Sequence, residues 1–231
     1  FPNNWLSLHH DGTVVLYPLL APSRRPERRE AALVLLEARG FALRRIVDLT
    51  GFEQDGVFLE GTGSLVLDHR ARVAYACRSP RTEGRPLDAF AGELGYALFV
   101  FEATGPDGGP VYHTNVVMSL GERFAVACMD AVAEDSRLAL RKALEAPGRE
   151  LIELDRAQMN AFAGNLLQLA TRDGGRVIAL STTALASLHP AQRRALERHG
   201  ELVATPVPVI ERHGGGSVRC MIAEVFLPRA A

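Results

Sequence analysis

Lysine is almost absent from this chain: Lys142 is the single one among 26 basic residues, set against 27 acids for a net charge of −1. The arginines that take its place are interleaved with acids and form no long basic block, which argues against a nucleic-acid partner. Cysteine is also scarce. Cys77, Cys128 and Cys220 are an odd set without disulfide-type spacing, and this points to a reducing compartment, the cytoplasm by default. No Cys-x-x-Cys or His-x-x-x-His pair occurs, and adjacent His9 and His10 would face opposite sides of a strand, so no metal site is expected. No apolar run approaches the roughly 20 residues of a membrane helix, and no membrane partner is expected. A Gly-x-Ser-x-Gly elbow is missing too, and the glycines between Gly105 and Pro110 lack the Lys and helix of a phosphate loop and read as a turn.

A repeat fills the space these absences leave. The stretches beginning at Asn4, Gly63, Asn115, Asn165 and Ser217 recur with a period of about fifty residues, the range of arrays and propellers. Each is followed by the same order of elements: a short apolar strand, a turn, a second strand, a helix and a third strand. In the first unit Asn4–Leu8 and Thr13–Tyr17 flank His10-Asp11-Gly12, a helix runs from about Pro26 to Arg39 with Gly40 as its stop, and the strand Phe41–Leu49 closes it. The second unit reads as Ser64–Asp68, Arg72–Cys77, a helix over Pro86–Leu94 and Tyr96–Phe101. The third reads as Val116–Leu120, Arg123–Cys128, a helix near Glu134–Ala146 and Glu150–Leu154. The fourth reads as Leu166–Thr171, Arg176–Ser181, a helix near Pro190–His199 and Glu201–Thr205. A fifth unit has only its opening, Ser217–Met221 leading on to Ala223–Leu227. The sequence starts at Phe1 rather than Met, so an N-terminal segment is expected to supply the missing helix and strand and close the ring. One domain, residues 1–231, is expected.

Three residues suited to chemistry fall at related places in the repeat. Glu60 interrupts an apolar run just before the glycine-rich turn into unit two, where it either caps backbone N–H groups or serves as a buried anion for a cationic ligand. His113 holds the matching place in unit three, and Cys220 lies within the expected first strand of unit five. Taken singly, such a His or Cys is usually structural. In a ring of like units, equivalent positions converge on one axis, so acid, imidazole and thiol can meet despite their separation. A thiol needs a neighbouring base or cation to react as thiolate, and His113 is the candidate general acid or base. Cys77 and Cys128 close second strands, away from this set, and read as structural.

The segments Phe1-Pro2-Asn3-Asn4-Trp5, Leu59 to Ser64, Ser79-Pro80-Arg81-Thr82, His113-Thr114-Asn115, Ala163-Gly164-Asn165 and Gly214 to Met221 resemble the guanidine-modifying superfamily of amidinotransferases and arginine deiminases, and within it the arginine-deiminase-related citrulline-utilisation hydrolases. The resemblance spans essentially the whole chain. It implies a five-bladed α/β propeller (pentein) of ββαβ units and a cofactor-free cysteine hydrolase acting on a C–N bond of a small guanidino or ureido compound. Cys220 would attack the central carbon, His113 would serve the leaving amine and then water, and Glu60 would orient the substrate nitrogens through paired charge-assisted hydrogen bonds. Asn3, Asn4, Asn115, Asn165, Arg81 and Arg219 would contact substrate, Arg81 through its carboxylate. Asn115 and the pair Asn3-Asn4 stand where arginine deiminases carry Asp, and amides suit a neutral ureido group or a substituted guanidine. Amidino transfer, or a catalytically silent propeller binding a small cationic metabolite or a protein, remain alternatives, and homodimerisation is left open.

Overall fold

A computed structural model describes residues 1–230. Four three-stranded sheets follow one another along the chain, each with its first strand antiparallel and its third parallel to the middle one. The first unit consists of α1 (Pro2–Trp5), β1 (Leu6–Leu8), β2 (Thr13–Leu16), α2 (Glu30–Ala38) and β3 (Arg45–Asp48). The second comprises α3 (Gly61–Ser64), β4 (Leu65–Asp68), β5 (Val73–Cys77), α4 (Gly84–Leu94) and β6 (Ala97–Phe101). In the third are α5 (Thr114–Val117), β7 (Met118–Leu120), β8 (Phe124–Ala127), α6 (Glu134–Glu145) and β9 (Glu150–Glu153). The fourth has α7 (Arg156–Asn160), β10 (Leu167–Ala170), β11 (Arg176–Ser181), α8 (Thr182–Ser187), α9 (Pro190–Glu197) and β12 (Glu201–Thr205).

Burial follows from strand position. The middle strand has a neighbour on either side and a helix over it, so β8, Phe-Ala-Val-Ala, is buried at every residue and reads as an unbroken apolar run. The third strand is the sheet edge, and β12 alternates exposed and half-buried residues. Helix α4 ends where Gly95 adopts a left-handed conformation, φ 66°. Helix α7 begins with a capping box between Asp155 and Gln158.

The repeat is therefore present in space, with two corrections. First strands begin later than the sequence suggests, because a single helical turn (α1, α3, α5) precedes each of β1, β4 and β7. Four residues are too few to show a helical period, so the turn's buried residues look like more strand. Glycine permits the turns to pack: Gly61 has φ 46°, and a Cβ there would stand 2.3 Å from the Asn3 carbonyl oxygen. The first-unit helix is likewise split, with Pro26 inside a 3₁₀ turn, Pro22–Glu27, ahead of α2.

The second correction concerns the chain's end. Cys220 is not in a strand but in a 3₁₀ turn, Val218–Met221, and residues 223–227 make only an isolated parallel bridge, Leu8 to Val225. The tail is held further by the Ala42 N–H donating to the Pro228 carbonyl (2.8 Å) and by Leu227 in the apolar cluster with Trp5, Leu6 and Leu8.

Candidate active site

Glu60 and His113 occupy the same structural position, the residue immediately before α3 and α5, and Ser217 occupies it before the Cys220 turn. The turns themselves are in contact, α1 with α3 and with the Val218–Met221 turn, and α3 with α5. Hydrogen bonds lock their relative placement. The Ser64 hydroxyl accepts from the Glu60 N–H (3.0 Å) and donates to the Arg81 carbonyl (2.5 Å). Thr114 Oγ1 donates to the Ser64 carbonyl and accepts from the Cys77 N–H (2.7 Å).

Glu60 is fully buried and accepts from four donors. Oε1 takes the Leu20 N–H (3.1 Å), while Oε2 faces His113 Nε2 (2.9 Å) and one guanidinium nitrogen each of Arg24 and Arg81 (both 3.3 Å). The capping expectation for Glu60 is met by one oxygen, which takes a backbone N–H, while the other meets the guanidinium groups of Arg24 and Arg81. Burial works against its carboxylate, but the His113 hydrogen bond and charge, then Arg81 and Arg24, outweigh it and bring the pKa down from 4.5 to about 2. For His113 burial is the larger influence and keeps the imidazolium disfavoured, although Glu60 opposes it. At neutral pH the pair is therefore carboxylate and neutral imidazole, with Nε2–H donating to Glu60 and Nδ1 left as a proton acceptor.

Cys220 belongs to the same group of turns. Its Sγ is met by two amides, Asn165 Nδ2 at 3.2 Å and Asn115 Nδ2 at 3.6 Å. Asn165 Nδ2 also donates to the Asn115 carbonyl (3.0 Å), and Asn115 Nδ2 to the Thr62 carbonyl (3.2 Å), so both are fixed by backbone. Gly63 marks the junction between the two halves: a Cβ there would come 2.4 Å from Asn4 Nδ2 and 2.9 Å from the His113 ring. Asn4 Nδ2 and Asn165 Oδ1 are buried with no partner, a free donor and a free acceptor at the same axis. The other two cysteines are held in the thiol form. Burial pushes the Cys77 thiol up to about 12 and raises that of Cys128.

Of the expected residues, Glu60, His113, Cys220, Asn4, Asn115, Asn165 and Arg81 are brought together around these turns. Two make no side-chain hydrogen bond to the others. Arg219 donates to the Ile222 carbonyl (3.1 Å) and pairs with Glu224 (3.3 Å), lining a cavity of about 870 Å³ with Asp68, Glu122 and Arg149 that Cys220, His113 and Glu60 do not line. Asn3 is fully buried with both side-chain polar atoms unpartnered, and only its carbonyl is engaged, by Thr62 Oγ1 (3.3 Å). Sequence reasoning missed Arg24, which bridges Glu60 and Asn4 Oδ1 (3.0 Å). Its one available signal was an Arg24-Arg25 pair in a stretch given no role, just ahead of the expected helix start at Pro26. Among the described residues no group of three or more His, Cys, Asp or Glu side chains is placed to hold a metal ion.

Several solved structures share this fold. ArgZ, an arginine dihydrolase from the ornithine–ammonia cycle in Cyanobacteria, superposes at a TM-score of 0.73 with 19% identity over 98% of this chain. This chain spans 32% of that protein. The N-terminal domain of ArgZ bound to product gives the same TM-score and identity, with 99% of this chain and 76% of that one covered. A histidine-to-glycine variant of dimethylarginine dimethylaminohydrolase, solved as an adduct with S-methyl-L-thiocitrulline, gives 0.63 at 16% identity over 96% of this chain and 74% of its own. At such identities these likenesses carry the fold, a pentein propeller. No curated protein matches the chain. Residues 1–227 match the family model described as N,N dimethylarginine dimethylhydrolase, eukaryotic, and the chain belongs to that family.

Proposed function

We propose that this protein is a cofactor-independent cysteine hydrolase that cleaves a C–N bond of a small guanidino or ureido compound of the arginine or citrulline type. The observation that carries the reading is the arrangement around one axis: a thiol bonded by two fixed amides, and an ionised carboxylate bonded to a neutral imidazole, all supplied by equivalent turns of different units. A guanidinium presents a planar fork of N–H donors, and Glu60 with Asn4 Oδ1 offers acceptors for it. The unpartnered Asn4 Nδ2 and Asn165 Oδ1 give a ureido oxygen a donor and a substrate N–H an acceptor.

In this mechanism neutral His113 first takes the proton of the Cys220 thiol, the thiolate attacks the central carbon, a C–S bond forms, and the electron pair of the C=N bond moves to nitrogen. His113 gives a proton to the departing amine as its C–N bond breaks, leaving a thiouronium-type adduct. His113 then takes a proton from water, the oxygen adds to the same carbon, and the C–S bond breaks to return the thiolate. The bonding of Sγ to two amide donors stabilises that thiolate in a site shielded from solvent.

Arginine, citrulline, agmatine, methylated arginines and guanidino acids should be screened for release of ammonia, amine and urea-type products. Turnover of at least one is expected, with Cys220→Ser abolishing it, and a haloacetamidine is expected to label Cys220 ahead of Cys77 and Cys128. Equal labelling of the three thiols together with no turnover would favour a binding protein. The reading places the protein in the reducing cytoplasm, in keeping with three unpaired, buried cysteines. Arg81, at 3.3 Å from Glu60 and over the Tyr112 ring (5.6 Å), is the residue proposed to meet a substrate carboxylate.

A further inference from the structure

The proposed guanidinium-holding position already contains a guanidinium. Arg24 Nη1 is 3.3 Å from Glu60 Oε2 and Nη2 is 3.0 Å from Asn4 Oδ1, so one planar fork spans the two acceptors that would take the substrate's fork. Its third nitrogen, Nε, donates to Glu27 (2.8 Å). Burial works against the Arg24 cation, yet the Glu27 hydrogen bond and the charges of Glu60 and Glu27 outweigh it and raise its pKa, so it stays charged. Meanwhile Glu60, Asn4, His113 and Cys220 are each no more than 3% exposed, whereas the Arg24 side chain is 19% exposed. A substrate approaching Glu60 therefore meets Arg24 on the way.

We propose that Arg24 is an internal occupant of the guanidinium position, a specificity-determining side chain that the substrate must displace before Cys220 can reach a central carbon. The proposal rests on the hydrolase reading above. Displacement exchanges one cation for another at Glu60, so a guanidinium alone gains little from entering. A ligand gains more when a second group of its own offers the released arginine a partner. The segment that carries Arg24 is suited to move. It is a 3₁₀ turn, Pro22–Glu27, with no buried residue and a proline within it, and Arg24 is fastened mainly by its side chain. Arg81, which meets the same Glu60 oxygen, does not reach Asn4 and leaves the second acceptor to Arg24 alone.

The test is the rate at which chloroacetamidine, a small amidinium without any other charged group, alkylates Cys220 in the wild type, Arg24→Ala and Arg24→Gln. With the internal occupant removed, alkylation of Cys220 is expected to be about tenfold faster or more, the size of one charge-assisted contact that no longer has to be broken. Millimolar guanidinium, far below denaturing levels, should slow alkylation in Arg24→Ala by taking the vacated place and should leave the wild type unchanged. Thermal melting of both variants reports whether they fold, and Arg24→Gln retains a polar partner for Asn4 if the alanine variant is unstable. Selective labelling of Cys220 at an equal or slower rate in the folded variants would overturn the role of Arg24 while leaving the hydrolase reading intact. Labelling that never favours Cys220 over Cys77 and Cys128 would overturn both.

Discussion

Glu60→Gln is the substitution whose outcome follows most directly from the geometry. It is isosteric, yet an amide has one acceptor oxygen where the carboxylate has two. With the carbonyl toward His113, Arg24 and Arg81, the NH2 faces the Leu20 N–H, donor against donor; flipped, it faces three donors of which two are cations. Removing one partner of a buried pair costs about 3–5 kcal/mol when the other charge is left unsolvated. Arg24 and Arg81 retain 19% and 32% side-chain exposure and can take up water, which places the expected loss near the lower figure, about 3 kcal/mol. The lowering of the Glu60 pKa from 4.5 to about 2 corresponds to a similar amount, about 3 kcal/mol, by linkage. Because the folded-state value is the depressed one, this stability is present in full above pH 4.5 and disappears as pH falls toward 2. Urea unfolding of both proteins from pH 8 downward should therefore give a constant gap to about pH 5 that narrows below it. A gap under about 0.5 kcal/mol at pH 7, the size of an ordinary surface substitution, would refute the reasoning. So would a gap that widens in acid.

Other outcomes follow from the same contacts. Gly63→Ala should lower kcat/KM by about 100-fold, because its methyl group must displace Asn4 or the His113 ring, and steady-state kinetics on the best substrate checks this. Asn165→Ala removes the shorter of the two amide contacts to Sγ and should lower kcat by about 10- to 100-fold, measured with a matched rate of thiol alkylation. His9 is buried and bonded through Nε2 to Ser7 (2.7 Å), and burial, followed by the charge of His69, lowers its pKa to about 4. Only the unfolded chain takes up that proton between pH 6.5 and 4, so the His9 contribution to stability should fall by about 2 kcal/mol from pH 7 to pH 5. His9→Gln should show a correspondingly flatter pH dependence in denaturant melts.

Much of the architecture was legible because it repeats. The strand-and-helix order of the second, third and fourth units appears where the sequence places it, and β11 and β12 keep the expected limits of Arg176–Ser181 and Glu201–Thr205. Middle strands were legible since burial on both faces demands unbroken apolar runs, as in Val73–Cys77. The turns α1, α3 and α5 were not, because a four-residue helix buried on all sides has the composition of a strand. The same ambiguity put Cys220 in a strand rather than in the Val218–Met221 turn. The turn also gives Arg219, expected at the substrate, other partners: the Ile222 carbonyl and Glu224.

By itself the sequence determined the repeat and the kind of residue standing at each equivalent place: an acid at 60, an imidazole at 113 and a thiol at 220. Local composition and spacing are sufficient for that, since they reflect which side chains each unit must bury. Tertiary structure alone decided that Asn115 and Asn165 reach Sγ, that Arg24 spans Glu60 and Asn4, and that Arg219 turns into another cavity. Those contacts join residues about 20 to 105 positions apart. Their distances are set by how the turns of separate units pack against one another, which no short stretch of chain encodes.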